Sequence, residues 1–186
     1  LFFDEIQEVD GWEKCINSFR VEFDCDIYIT GSNAKLLSGE LATYLGGRYV
    51  EFVIYPFSFA EFLALYRTVY PETSPAQGFQ AYLLRGGMPY LANLRFEEAP
   101  CRQYLTDVFN SVQLKDIVKR NKIRDVDLLE RIIAYVMANV GTTFSATAIS
   151  KFLKNEHRTV SPETVLNYLR ACADAYLFYQ VKRQDV

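Results

Sequence analysis

The sequence has 186 residues, of which 50% are hydrophobic and 23% charged, and its net charge is −3. Such a composition supports a packed core and excludes an intrinsically disordered chain. The acidic balance also excludes a protein that attracts nucleic acid through its overall charge, although a local basic face is compatible with it.

The first third of the sequence alternates strand and helix patterns. Residues 1–3 are predicted to form a buried strand that ends at Asp4-Glu5 and begins without an initiator Met, so we expect a strand cut in the middle, with a further segment upstream. Next comes an amphipathic helix whose apolar face is formed by Trp12, Cys15, Ile16 and Phe19.

Two more strands and one more helix are predicted in this part. The strands cover residues 25–30 and 48–54, and the helix between them covers residues 35–45 and stops at Gly46-Gly47. This order is typical of an α/β fold with a parallel sheet and crossover helices.

From Pro56 onwards the pattern is helical. Ser58 and Glu61 have the spacing of a capping box, which predicts a helix start there. Residues 71–75 are predicted to form a loop, and helices are predicted at 77–85 and 97–119. Arg85-Gly86-Gly87-Met88-Pro89 is interpreted as a structural helix stop.

The last segment predicts a small unit with three helices and a strand. The helices cover residues 126–139, 146–153 and 162–174, and the strand covers 176–183. Ser161 is predicted to cap the third helix, with Pro162 in its first position. The order is typical of a winged helix-turn-helix whose wing is cut off at residue 186. The first helix has its apolar face at Leu128, Leu129, Ile132, Ile133, Val136 and Met137.

These patterns predict three regions, at residues 1–70, 71–120 and 121–186. The four cysteines form no CxxC pair and the only histidine is His157. We therefore expect no zinc site and four buried thiols in a reducing compartment. No apolar run approaches the roughly 20 residues of a membrane span, so a cytoplasmic protein without a membrane contact is predicted.

The acidic pair Asp4-Glu5 is the main candidate for chemistry. Ligands bind at the carboxyl ends of strands in open α/β sheets, and adjacent carboxylates there can order Mg²⁺ through its waters and polarise an attacking water. The second predicted strand ends at Thr30-Gly31-Ser32-Asn33, where a small polar residue would lie beside the pair and contact a γ-phosphate or orient the water. Alternatively, the acids cap a strand end on a solvated surface, and Ser32 caps the next helix.

Arg48 follows the Gly46-Gly47 helix stop, from where it can reach across a subunit boundary. A guanidinium group suits charge that develops on a transferring phosphoryl group. The alternative is a surface arginine that pairs with a nearby acid.

The last unit carries a modest basic surface on its second and third helices, diluted by Glu156, Glu163 and Asp174. This surface is a candidate nucleic-acid interface, although many winged helices bind proteins instead. The acids Asp116 and Asp125, like Asp127, are expected to cap helices or line solvated faces. The candidate contacts are Lys151, Lys154, Asn155, His157, Arg158, Thr159, Asn167, Arg170, Lys182 and Arg183.

Three blocks of the sequence resemble a widespread bacterial and archaeal family of AAA+-type ATPases. They are LFFDEIQEVDGWEKCINSF, DIYITGSNAKLLSGELATYLGGRYVEFVIYPFSFAEFL and YLLRGGMPYL, and the resemblance covers essentially the whole chain. In that family a P-loop ATPase core precedes a helical and winged-helix region of unknown function, and a restriction-endonuclease-like domain often follows. The resemblance implies an incomplete parallel-sheet AAA+ core, a helical connector and a winged helix-turn-helix.

For individual residues, the resemblance implies that Asp4-Glu5 is the Walker B pair, that Ser32 or Asn33 is the sensor position, and that Arg48 is a candidate arginine finger in a homo-oligomer. ATP and Mg²⁺ are the cofactors it implies for the full-length protein. No GxxxxGK[ST] motif occurs here, so this fragment alone is expected to be inactive. The alternative function is a winged-helix module that binds DNA or protein, with the α/β part as its scaffold.

Overall fold

The computed structural model describes residues 1–32 and 46–181, which are mixed α/β and mostly helical. The chain divides into two compact units, one built from Leu1–Tyr49 with Val112–Val186 and the other from Val50–Ser111. The three predicted regions stay predictions. Among the described helices, none combines the length and the apolar character needed to cross a membrane.

The sheet in the first unit has two parallel strands, β1 (Phe2–Phe3) and β2 (Tyr28–Ile29), with Phe3 opposite Ile29. The helix α1 (Trp12–Glu22) crosses over between them, which confirms the predicted strand–helix–strand order. One face of the sheet packs on Ile6, Trp12 and Ile16. The prediction of a buried strand at residues 1–3 is wrong, because Phe2 on the other face is 67% exposed. Neighbouring residues of a strand point to opposite faces, and no described element covers this second face.

Two of the four cysteines are buried. Cys101 and Cys172 are buried as predicted, whereas Cys15 and Cys25 are exposed free thiols. Cys15 therefore does not belong to the apolar face of α1. That face is narrower, and it includes Phe19, whose ring stacks on Phe3 with 5.9 Å between ring centres.

Two predicted strands are missing from the described residues. Residues 48–54 form no strand, and the side chains of Val50, Phe52 and Ile54 are at least 77% exposed. A strand requires a neighbouring backbone, and within 1–32 and 46–181 the sheet contains only β1 and β2. Residues 176–181 also form turns and irregular backbone. The predicted helix at 35–45 and the residues after 181 lie outside the described parts of the chain.

The second unit is helical and packs around Phe62, Leu91 and Phe96, whose rings and side chains are almost fully buried. The predicted capping box is confirmed, because Ser58 Oγ accepts the N–H of Glu61 and the Glu61 carboxylate accepts the N–H of Ser58. The helices of this unit are α2 (Phe59–Val69), α3 (Pro75–Arg85), a 3-10 helix (Pro89–Ala92) and α4 (Glu98–Ser111).

The Gly-Gly pair after α3 is structural, as predicted. Gly86 ends the helix with φ 70°. At Gly87 the backbone of Phe57 approaches closely: the Phe57 N–H donates to the Gly87 carbonyl at 2.7 Å, and a Cβ on Gly87 would lie 2.2 Å from the Phe57 carbonyl oxygen. Only glycine fits this approach.

The predicted helix at 97–119 is α-helical up to Ser111 and continues as a π-helix over Val112–Lys119. The three predicted helices that follow are confirmed, and the described residues show them without a wing strand. Their core is formed mainly by Leu128, Ile132, Val136, Ile149, Leu153, Val165 and Leu169. The prediction that Met137 belongs to the apolar face is wrong, because its side chain is 44% exposed. The helices are α5 (Val126–Ala138), α6 (Ala146–Asn155) and α7 (Pro162–Asp174), with N-caps at Asp125, Ser145 and Ser161.

Candidate functional site

The acidic pair lies on a turn at the carboxyl end of β1. Asp4 and Glu5 are both exposed. Glu5 has the left-handed backbone conformation, with φ 48° and ψ 44°, and it precedes a 3-10 helix at Ile6–Glu8. This conformation is uncommon for a residue other than glycine and persists when its surroundings stabilise it. The hydrogen bonds of the turn therefore decide whether Glu5 keeps it.

Thr30 supplies most of these contacts. Its N–H donates to the Phe3 carbonyl at 2.9 Å, and its carbonyl accepts the N–H of Ile6 at 3.3 Å. Its hydroxyl accepts the N–H of Glu5 at 3.3 Å and donates to Asp4 Oδ1. The sequence predicted a small polar residue beside the pair within Thr30-Gly31-Ser32-Asn33, but it singled out Ser32 and Asn33; the register that pairs Phe3 with Ile29 places Thr30 beside Asp4.

Ser32 lies beside the acidic pair. Its hydroxyl donates to Glu5 Oε2 at 3.0 Å, and the side-chain amide of Gln7 donates to the same oxygen. One carboxylate oxygen of Glu5 is therefore held by two donors. The other sensor candidate, Asn33, lies outside the described residues.

A second charged group adjoins the acidic turn within the same compact unit. Arg120 Nη2 lies 3.4 Å from Glu8 Oε1 and 3.3 Å from Asp116 Oδ1. Contrary to the prediction, Asp116 therefore neither caps a helix nor lines a solvated face. Burial raises the pKa of Asp116, Arg120 lowers it, and the negative charges of Glu5 and Glu8 raise it further. The carboxylates of Glu8 and Asp116 thus lie near the acidic turn, and Arg120 pairs with both of them.

Arg48 follows an exposed turn at 46–48 and is itself exposed. Among the described residues it forms no ion pair, and the segment immediately before the turn is not described. Its assignment as an arginine finger stays a prediction.

The candidate nucleic-acid contacts are split between an exposed group and an ion-paired arginine. Lys151 and Lys154 on α6, and Asn167 and Arg170 on α7, are exposed. Arg158 instead donates to carboxylates of the α5 N-terminus.

The ion network that holds Arg158 joins α5 to the end of α6. Arg158 Nη1 lies 2.9 Å from Asp125 Oδ2, and its Nη2 donates to Asp127 Oδ2. Arg131 bonds the same Asp127 oxygen at 2.9 Å and Glu156 at 2.8 Å. The pKa of Asp127 is lowered, chiefly by its hydrogen bond from Arg131. The Asp125 carboxylate also caps α5 by accepting the N–H of Leu128, which confirms its predicted capping role.

Two family models match the chain. An AAA domain matches residues 1–63, and a domain of unknown function, DUF8612, matches residues 76–185. The first match covers the acidic turn, Thr30, Ser32 and Arg48, and the second covers Asp116, Arg120 and the three C-terminal helices.

Two curated relatives resemble almost the whole chain. An uncharacterized protein of Haemophilus influenzae is 40% identical over 184 residues, which are 98% of this chain and 45% of the relative. An uncharacterized protein of Methanocaldococcus jannaschii is 32% identical over 190 residues, which are 96% of this chain and 42% of the relative. The chain thus spans less than half the length of these relatives. No solved structure matches it.

Proposed function

The chain belongs to the DUF8612 family, and we propose that it is part of an AAA-type ATPase in which Asp4 and Glu5 are the hydrolytic carboxylates. The match of residues 1–63 to an AAA domain supports the class of protein. One observation carries the assignment of the site: two exposed carboxylates follow a parallel strand and bond Thr30 and Ser32 at the end of the neighbouring strand. This edge of a parallel sheet is where nucleotide-binding α/β proteins bind their ligands.

Each residue of the proposed site has a separate role in hydrolysis. Asp4 holds Mg²⁺ through water, and Glu5 takes a proton from the attacking water. Ser32 and Asn33 are the sensor candidates, because Ser32 already contacts Glu5 and Asn33 is its neighbour. Arg48 acts from a neighbouring subunit on the phosphoryl group.

The donor set at the turn fits Mg²⁺. The described residues contain no cluster of three or more His, Cys, Asp or Glu side chains arranged to hold a metal ion. Mg²⁺ in such enzymes keeps several waters and needs only one or two carboxylates together with phosphate oxygens. Asp4 meets this requirement, since it is exposed and offers hard oxygen ligands. When bound, Mg²⁺ neutralises charge on the phosphates.

The phosphate-binding loop is expected from the remainder of a longer protein. Carboxylates alone repel phosphates, which are usually gripped by backbone amides and a lysine. The proposal therefore concerns the protein expressed from its complete reading frame, and the relatives, more than twice as long as this chain, support such a frame.

Substitution of the two carboxylates tests the proposal. Glu5→Gln keeps the shape but loses the base, so ATP binding should persist while turnover is abolished. Asp4→Asn should instead weaken Mg²⁺-dependent binding. Asp10→Asn, a nearby exposed acid outside the site, serves as the control. Phosphate release and calorimetric nucleotide titration are measured, and parental turnover in both site variants would show that the pair only caps a strand end.

A binding module is the second candidate function. We propose that α5–α7 form a winged-helix unit in which Lys151, Lys154 and Arg170 contact DNA backbone while Asn167 reads a base edge. The order of the helices and the exposure of these side chains on α6 and α7 support this second proposal. Arg158 contributes only if it leaves its two carboxylate partners. The alternative to DNA is a protein partner that binds the same surface.

Binding to duplex DNA at several salt concentrations distinguishes these outcomes. The triple variant Lys151→Ala, Lys154→Ala, Arg170→Ala should bind more weakly, and the slope of log affinity against log salt should fall by about 1 for each phosphate that these side chains neutralise. Lys14→Ala, on the exposed side of α1, is the control. Equal affinity of parent and triple variant, or none for either, removes DNA as the partner.

A further inference from the structure

One hydroxyl group joins both residues of the acidic turn. Thr30 Oγ1 accepts the N–H of Glu5 and donates to the carboxylate of Asp4. We propose that Thr30 is a positioning residue that sets the orientation of the Asp4 carboxylate and the backbone conformation of Glu5 before nucleotide binds. This inference rests on the proposed ATPase function.

The backbone of Glu5 needs such support. Its left-handed conformation, with φ 48°, is disfavoured for a residue that has a Cβ. The hydrogen bond from its N–H to Thr30 Oγ1 and the neighbouring bond from Ile6 N–H to the Thr30 carbonyl hold both amides of the turn. Thr30 therefore stabilises the turn on which the proposed base lies.

The Asp4 carboxylate is oriented by the same group. A hydroxyl has one proton to donate and two lone pairs to accept, so Thr30 can bond Glu5 and Asp4 at once. Fixing Oδ1 of Asp4 fixes the plane of its carboxylate relative to the two strand ends. Partners of this kind, which orient a metal-binding carboxylate, change metal affinity or activity by about 10–100-fold when they are removed.

The parallel register explains why Thr30 occupies this position. Phe3 pairs with Ile29, and the Thr30 N–H donates to the Phe3 carbonyl at 2.9 Å. The next residue along each strand is then Asp4 and Thr30, so the sheet itself brings the hydroxyl to the carboxylate. Threonine, which is β-branched, also suits the end of a strand.

The test compares Thr30→Val, which keeps the shape and loses the hydroxyl, with Thr30→Ser, which keeps the hydroxyl. Both are made in the protein expressed from its complete reading frame. For Thr30→Val we expect the Mg²⁺ concentration that supports half-maximal nucleotide binding, measured by calorimetric titration without turnover, to rise by about 10-fold or more, and kcat to fall by a similar factor. The KM for ATP at saturating Mg²⁺ should change less than kcat. Thr30→Ser should restore most of both values.

Comparison of these variants separates the inference from a structural role of Thr30 and from failure of the proposed function. Parental Mg²⁺ dependence and kcat in Thr30→Val would overturn the inference, as would a loss that Thr30→Ser does not restore. If Thr30→Val does not fold, Thr30→Ala carries the same expectation, with the melting temperature measured alongside. Parental turnover in Asp4→Asn and Glu5→Gln overturns the ATPase assignment together with this inference, whereas inactive carboxylate variants beside a fully active Thr30→Val overturn only the role of Thr30.

Discussion

Replacement of Gly87 by alanine should destabilise the second compact unit strongly. The new Cβ would lie 2.2 Å from the carbonyl oxygen and 2.8 Å from the nitrogen of Phe57, well inside the 3.4 Å at which ordinary contact begins. Both neighbours are backbone atoms, so no side-chain rotation relieves the overlap. Residues 57 and 87 must move apart, which breaks the 2.7 Å hydrogen bond between them.

The size of the effect follows from these two contributions. Overpacking of this kind costs about 1–3 kcal/mol, and breaking the hydrogen bond costs about 1 kcal/mol. Together they reduce the free energy of unfolding by about 2–4 kcal/mol. For a chain of this length, about 2–4 °C of melting temperature corresponds to 1 kcal/mol, so the midpoint should fall by roughly 5–15 °C.

Gly78→Ala is the matched control. Its Cβ would lie 2.4 Å from Leu63 Cδ1, the flexible end of a side chain that can rotate for about 1 kcal/mol. Gly78 lies inside α3, where alanine is favoured over glycine by about 1 kcal/mol. The two contributions offset each other, and the melting temperature should change by only a few degrees.

Thermal and urea unfolding, followed by circular dichroism, measure both variants against the parent chain. Equal melting temperatures for Gly87→Ala and Gly78→Ala would refute the reasoning, because they would show that the Phe57 backbone gives way as easily as a leucine side chain.

Two other predictions concern the proposed oligomer and the thiols. Arg48→Ala alone should lower kcat by about 10³-fold without changing nucleotide affinity. If Arg48 acts in trans, mixing Arg48→Ala subunits with Glu5→Gln subunits of the complete protein should restore turnover. No recovery of turnover, together with a lower melting temperature of Arg48→Ala, would indicate a structural arginine. Burial raises the pKa of Cys172 to about 12. In native protein at pH 8, a maleimide reagent should therefore label the exposed Cys15 and Cys25 quickly and Cys172 only after unfolding. Mass spectrometry of the labelled peptides measures this, and rapid labelling of Cys172 in native protein would contradict its burial.

Local signals in the sequence predicted local structure well. Ser58 with Glu61, and Ser161 with Pro162, marked helix starts that the structure confirms, because both signals lie within the first turn of one helix. The strand predicted at 48–54 is absent from the described fold, since a strand also depends on a distant partner that its own sequence does not specify.

The candidate site was partly predictable for the same reason. The end of β1 followed by an acidic pair, and the end of β2 followed by Ser32, indicated the right edge of the sheet. Thr30 emerged only from the register between the strands. Arg120 lies 112 residues from Glu8 in sequence, and no spacing rule connects two side chains so far apart.

The borders of the two family matches do not coincide with the borders of the folded units. The AAA match ends at residue 63, inside α2, and the DUF8612 match begins at residue 76, inside α3, yet both helices pack around Phe62 in the unit Val50–Ser111. Cutting the gene between the two matches would divide one hydrophobic core and leave Phe62 exposed in one product and Phe96 in the other. Expression of either family segment alone should therefore yield aggregation-prone protein, and a dissection that keeps residues 50–111 intact respects the way the chain folds.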